Sequence, residues 1–502
     1  MALLAPMALL ALLALLALLA LPAPLAASEG GAYELDGATL SPLWTVPFAG
    51  MLLSIALFPL FAHRFWERHF GKVAAGWAFL FLLPAALLLG GGLALHSALH
   101  TMVGEYVPFI IVLLALYTIA GGIRVTGDIA GTPLANLGFL ASGTVLASLM
   151  GTTGAAMLLV RPFLRALAHR RRKVHSVVFF IFLVANAGGC LTPLGDPPLF
   201  LGFLKGVDFF WTLRHLWPQT LFLCGILLAA HLAIDLALYR GEIRRPAPEP
   251  GGGPGPADAA AGPADGGSGG VSPAGERPGL EGKRNFLLLL GVVGLVLYSG
   301  AAGEGGGAWQ IWEGIEYRYA NIVRDLGLLA LAALSLAVTP GSARRGNQFS
   351  WGPILEVAKL FAGIFITMIP AIAILRAGAR GALRPLVSLA SSPEGTPVDA
   401  AYFWLTGALS SFLDNAPTYL VFFNSAGGDA SRLMLELPGT LAAVSCGAVF
   451  MGANTYIGNA PNFMVRSIAE ERGVRMPSFF GYMAWSLGIL VPLFLLMTFV
   501  FF

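Results

Sequence analysis

Two carboxylates lie where a membrane chain least tolerates them. Asp196 falls within LTPLGDPPLFL (191–201) and Asp414 within LSSFLDNAPTYLVFF (409–423), both embedded in apolar sequence. An acid at the centre of a spanning helix costs on the order of 3 kcal/mol to insert, so each is a candidate functional group. Neutral oxygens accompany them: Thr152, Thr153, Thr192, Asn415, Asn454, Thr455 and Asn459. Carboxylates with hydroxyl and amide oxygens make a donor set for a hard cation such as sodium, by extension from the oxygen preference of calcium and magnesium. A proton competes with a cation for the same carboxylate, so a site of this kind can exchange one for the other.

The spacing is as informative as the residue types. NTYIGNAPNFM (454–464) repeats LTPLGDPPLFL: Thr192 matches Thr455, Gly195 matches Gly458, Pro198 matches Pro461, Phe200 matches Phe463, and Asp196 faces Asn459. The offset is 458 − 195 = 263, and it also lays LASLMGTTGAAMLLV (146–160) on 409–423, since 409 − 146 = 263. Two polar interruptions recurring at one spacing indicate a duplicated membrane protein with two broken elements per half. Pro193, Pro197 and Pro198 force the first break by removing donors and clashing with the preceding turn, and Gly195 supplies backbone freedom. Pro417 and Pro461 act likewise in the second half. Each unpaired backbone group in hydrocarbon costs several kcal/mol, so an unwound segment must be buried in protein or filled by an ion or water. The half-helix ends left behind suit small charged ligands. A ligand-free proline kink would explain one such break; it does not explain four matched ones.

Other charges are weaker candidates. Glu105, Asp128 and Glu356 fall at or near span ends, where a solvated interfacial carboxylate is the plain alternative. Lys359, three residues after Glu356, shares its helix face and either neutralises it or takes part in transport. His96 and His100 have i, i+4 spacing, yet neither HExxH nor a third ligand accompanies them. No GxSxG stands on a strand-to-helix elbow and no phosphate-binding loop is present, so an enzyme is not expected. Cys190, Cys224 and Cys446 all lie in apolar stretches and read as small packing residues.

The elements that must position these groups follow from composition. A hydrophobic fraction of 57%, a mean hydropathy of +0.76 and only 11% charged residues exclude an ordinary soluble domain. A formal charge of +3 is too small to suggest nucleic-acid binding. Apolar spans fall at about 44–62, 73–97, 106–122, 218–239, 285–301, 325–340, 353–375 and 479–501. The stretches 131–168 and 402–426 read as re-entrant hairpins, and 175–211 and 438–470 as helices unwound at mid-membrane. Basic residues at Arg64–Lys72, Arg170–Lys173 and Arg240–Arg245 place those loops inside, which runs the second half opposite to the first. Arg376, Arg380 and Arg384 fall outside in that scheme, against the charge rule.

The expected division is a signal peptide over 1–27, an extracytoplasmic segment over 28–43, a first membrane repeat over 44–240, a flexible cytoplasmic linker over 241–284 and a second repeat over 285–502. Trp211, Trp217, Trp309, Trp312, Tyr317 and Tyr319 read as interfacial anchors. The fold class expected is an all-α polytopic membrane protein of two inverted repeats, each of about five transmembrane helices plus a re-entrant hairpin and one unwound helix.

NAGGCLTPLGDPP, FLDNAPT and ANTYIGNAPN together resemble the ion transporter superfamily, specifically its NhaD-type sodium/proton antiporters and the citrate-transporter-like relatives. The resemblance spans roughly residues 44–502 apart from the linker. It implies a scaffold part and a moving transport part, with the hairpin tips near Gly151–Thr153 and Asp414–Pro417 and the unwound loops near Thr192–Pro198 and Thr455–Pro461 in the latter. It also implies a homodimer. The first tip reads GTTG and lacks the carboxylate and amide of Asp414 and Asn415, so a cation site would lean toward the second hairpin. The function expected is sodium/proton antiport in the inner (plasma) membrane of a bacterium, with sodium bound at Asp414 and Asp196. The alternative is sodium- or proton-coupled symport of citrate or a dicarboxylate. No cofactor is expected beyond the transported sodium and protons. The expected partners are the lipid bilayer and small inorganic cations or a small carboxylate, with no nucleic acid.

Overall fold

The computed structural model describes residues 35–127, 129–243, 279–302 and 307–502. The expected signal peptide, Asp128 and most of the expected linker lie outside them.

The chain is an all-α polytopic membrane protein. Its first half runs α1 (Val46–Phe61), α2 (His63–Leu88), α3 (Gly91–Thr101), a π-helical turn (Met102–Tyr106), α4 (Val107–Ala120), β1 (Arg124–Thr126), α5 (Pro133–Met150), α6 (Thr152–Ala166), α7 (Val174–Leu183), α8 (Pro197–Leu204) and α9 (Trp211–Ile243). The second half runs β2 (Gly279–Glu281), α10 (Arg284–Ala301), β3 (Ala308–Trp312), β4 (Ile315–Arg318), α11 (Tyr319–Val338), α12 (Gly341–Gly346), α13 (Gly352–Thr367), α14 (Ile369–Arg376), α15 (Arg384–Leu389), α16 (Asp399–Ser410), α17 (Asn415–Ser425), α18 (Ala430–Leu435), α19 (Pro438–Met451), α20 (Ala460–Glu471) and α21 (Phe479–Phe501). Among the described residues nine helices are long and apolar enough to cross a membrane, and α13 with α14, bent by 45°, makes a tenth.

The broken elements form the centre. The Val174–Leu191 span is 89% buried, against 28% for the spans Arg284–Ala301, Tyr319–Val338 and Phe479–Phe501. The second-half spans around it therefore turn most of their apolar surface outward, as helices facing lipid do. Helices α5 and α6 pack as a hairpin, and α16 packs on both α17 and α19. The second hairpin arms are exchanged between the halves: α6 packs on α20, and α17 packs on α8.

Three expectations need correction. The expected span 73–97 is two helices, because the chain breaks at Gly90, whose φ of +106° a side chain would resist. The expected linker 241–284 is shorter than drawn: α9 continues to Ile243, and β2 returns antiparallel to β1, with Arg124 3.6 Å from Glu281. Trp211 and Tyr317 are buried rather than interfacial, and the Tyr317 hydroxyl donates to Asp325. Trp309 and Trp312 lie on β3 of a two-stranded hairpin. All three cysteines are buried and free.

Candidate ion and substrate site

Each break has the same local origin. Helix α7 ends at Leu183, a single 3-10 turn spans Ala187–Leu191, and a tight turn over Pro193–Gly195, closed by Gly195 N–H on the Thr192 carbonyl at 3.0 Å, leads to Asp196. Asp196 caps α8 at φ −141°, ψ 140°, with Pro197 at its first position. Asn459 caps α20 at φ −150°, ψ 139°, with proline again in the first turn. Proline costs nothing there, since the first turn has no intrahelical acceptor for its missing N–H. The other two caps are the hairpin tips. Gly151 opens α6 at φ +82°, and Asp414 opens α17 at φ −58°.

Three kinds of hydrogen bond fasten both breaks at the spacing of 263. The Thr192 hydroxyl donates to the Ser148 carbonyl, and the Thr455 hydroxyl donates to the Ser411 carbonyl at 2.5 Å. Ser148 Oγ donates to the Gly188 carbonyl at 2.5 Å, and Ser411 Oγ to the Met451 carbonyl at 3.1 Å. Leu194 N–H and Ile457 N–H donate to Thr192 and Thr455 Oγ1, both at 3.2 Å. Backbone crosses backbone so closely that a Cβ on Gly195 would sit 2.2 Å from the Gly189 carbonyl, and one on Gly458 2.5 Å from that of Gly452.

The carboxylate of Asp196, 1% exposed, gathers both hairpins. Thr152 Oγ1 donates to its Oδ1 at 3.0 Å, and the Asn415 amide donates to its Oδ2. Thr152 and Asn415 are themselves equivalent, since 415 − 152 = 263. The Thr152 N–H also donates to the Gly195 carbonyl at 2.9 Å, docking the first tip on the first break. Asp414 is half-buried, accepts the Ala416 N–H at 3.1 Å, and immediately precedes Asn415, whose amide reaches Asp196. Two amide oxygens in the second half are left unpaired. Asn415 Oδ1 and Asn454 Oδ1 are buried without a hydrogen-bond partner, while Asn454 Nδ2 donates to Ser411 Oγ at 2.9 Å. A buried acceptor left unpaired costs about 1–3 kcal/mol, which a cation among these oxygens would recover. Thr153 is half-buried, the second residue of α6.

The weaker candidates lie elsewhere. Glu105, in the π-helical turn, forms an ion pair with Lys205 just past α8. Glu356 is half-buried on α13, and the Lys359 ammonium lies 5.5 Å over the Phe70 ring. Asp128 lies outside the described residues. His96 Nε2 is 2.7 Å from the Glu313 carbonyl, and its ring centroid is 6.5 Å from that of His100.

Asn186 and Asn462 were not among the residues singled out by sequence, yet they join the halves. Asn186 Nδ2 donates to Asn462 Oδ1 at 2.7 Å, and Asn459 Nδ2 donates to Asn186 Oδ1 at 3.2 Å. Asn462 Nδ2 donates to the carbonyls of Gly452 and Thr455, each at 2.9 Å. The internal repeat hides them, because the equivalent positions hold Val449 and Leu199.

A family model described as "Putative citrate transport" (CitMHS_2) matches residues 37–502. The chain belongs to that family. No curated protein matches it significantly. As a member of a citrate-transport family, the chain is a membrane transporter, and the crossing of two broken helices with two hairpin tips is where its fold leaves polar groups inside apolar surroundings.

Proposed function

We propose that this transporter exchanges sodium for protons at a site shared by Asp196 and Asp414. The observation that carries the reading is the Asp196 carboxylate held by donors from both hairpins, with the Asn415 and Asn454 amide oxygens unpaired in the same pair of breaks. In this mechanism Asp196 and Asp414 supply the negative charge and accept the returning proton. Asn415 and Asn454 supply neutral oxygens, and Thr152 orients Asp196. Thr192 and Thr455 have their hydroxyl protons committed to the hairpin arms, so they position the breaks. Loading sodium expels a proton from the same carboxylates, and that competition couples the two fluxes. The two halves are proposed to be inverted in the membrane and the protein to work as a homodimer.

A second reading, cation-coupled citrate uptake, is favoured by the family description and by the caps. The Asp414 carboxylate caps α17 and that of Asp196 lies against Thr152 at the start of α6, whereas α20 opens on Asn459. The N-terminus of α20 carries partial positive charge with no acid at its cap and suits an anion.

Everted vesicles loaded with a pH-sensitive dye separate the readings. Sodium addition is expected to discharge the proton gradient in wild type and not in Asp414→Asn, with citrate alone having no effect. Accumulation of labelled citrate under a sodium gradient, without sodium-driven proton release, would replace the first reading by the second.

A further inference from the structure

Away from the breaks, a second group of ligating side chains converges at the foot of the first hairpin. His231 and Asp235 stand one turn apart on α9, and His175 is the second residue of α7; all three are buried. One donor atom from each lies within 4.8 Å of the others, and among the described residues this is the one such group of three His, Cys, Asp or Glu. Ser176 adds a fourth atom: its Oγ is 3.2 Å from His175 Nε2 and 3.1 Å from His231 Nε2, while Asp235 Oδ1 is 3.2 Å from His175 Nε2. A tetrahedral ion with bonds of about 2.0–2.1 Å has ligand-to-ligand edges of roughly 3.3–3.4 Å. Three of the edges already stand near that length.

The surroundings orient these atoms. Asn136 Nδ2 donates to Asp235 Oδ2 at 2.8 Å, and Arg170 donates to Asp235 Oδ1 at 2.6 Å. Arg170 also reaches Glu242 at 2.8 Å and the Gly131 carbonyl at 2.9 Å. With neutral imidazoles, Asp235 and Glu242 against Arg170 leave one net negative charge, which moderates the cost of taking in a divalent ion. His231 Nδ1 is buried without a partner, so hydrogen bonding leaves open which ring nitrogen carries its proton. A metal on Nε2 would put that proton on Nδ1, where no side chain or backbone group receives it.

We propose that His175, His231, Asp235 and Ser176 form a tetrahedral site for a borderline divalent transition ion, zinc first among them. Two imidazoles with two oxygens suit zinc better than sodium, magnesium or calcium. The site is distinct from the one at Asp196. An ion there would tie α7 to α9, and through Asn136 and Arg170 it would tie both to the foot of the first hairpin.

The test uses the full-length protein in detergent, stripped by a chelator and then offered zinc or cobalt. Wild type is expected to retain one zinc per chain through gel filtration, to show the visible bands of tetrahedral cobalt, and to gain thermal stability on zinc addition. His231→Gln is expected to lose all three responses. If that variant does not fold, the wild-type measurements decide alone. Sub-stoichiometric zinc with an octahedral cobalt spectrum in wild type would overturn the proposal. So would equal zinc retention by the His175→Gln/His231→Gln double variant.

Discussion

At the scale of single residues, the two halves differ in backbone as well as in side chain. Gly151 occupies the place of Asp414, but its φ of +82° with ψ of 148° is a conformation open almost only to glycine, where a residue with a Cβ costs about 1–3 kcal/mol. Gly151→Asp is therefore expected to lower the melting temperature without adding a working acid. A scanning-fluorescence melt together with the vesicle assay would show it. Asp196, by contrast, is served by equivalent donors from both tips. Thr152→Val removes one of them. It is expected to raise the sodium concentration for half-maximal exchange about tenfold, a loss of about 1.4 kcal/mol. An unchanged sodium dependence would take Thr152 out of the site.

At the scale of elements, the sequence made the breaks legible because prolines, glycines and acids interrupt apolar runs twice at one spacing. The hydrogen bonds that fasten Thr192 to Ser148 and Thr455 to Ser411 are the structural counterpart of that repetition. What stayed hidden was whatever the repeat does not duplicate. Asn186 and Asn462 pair across the halves from positions whose equivalents are apolar, so no internal comparison points to them. His175, His231 and Asp235 are spread over two helices, and only the packing of α7 on α9 brings them together. The kink at Gly90 leaves no polar mark, because the apolar run passes through it without a polar residue. Asn186→Ala strands the Asn462 amide oxygen, and about 1–3 kcal/mol of stability should go with it. Asn462→Ala should cost a comparable amount, and the double variant less than the sum; strict additivity in a denaturation series would mean that the two amides do not act together.

For the whole molecule, one contact links the outer helices to the broken one. Glu105 pairs through Oε1 with Lys205 where their side chains are only 11% and 16% exposed, and Glu105 Oε2 is buried without a hydrogen-bond partner. Lys205→Met would leave that carboxylate buried and alone, at an expected cost of about 3–5 kcal/mol. Adding Glu105→Gln should restore most of the loss in a thermal melt, whereas no recovery would mean that the lysine stem, not its charge, matters.

The short return strand β2 has a consequence for how the gene could be cut. Because Gly279–Glu281 zips onto Arg124–Thr126, the second polypeptide carries its own address on the first. Two separately translated pieces, one ending soon after Ile243 and the other starting just before Gly279, should find each other in the bilayer and copurify, as a natural fission of this transporter would require.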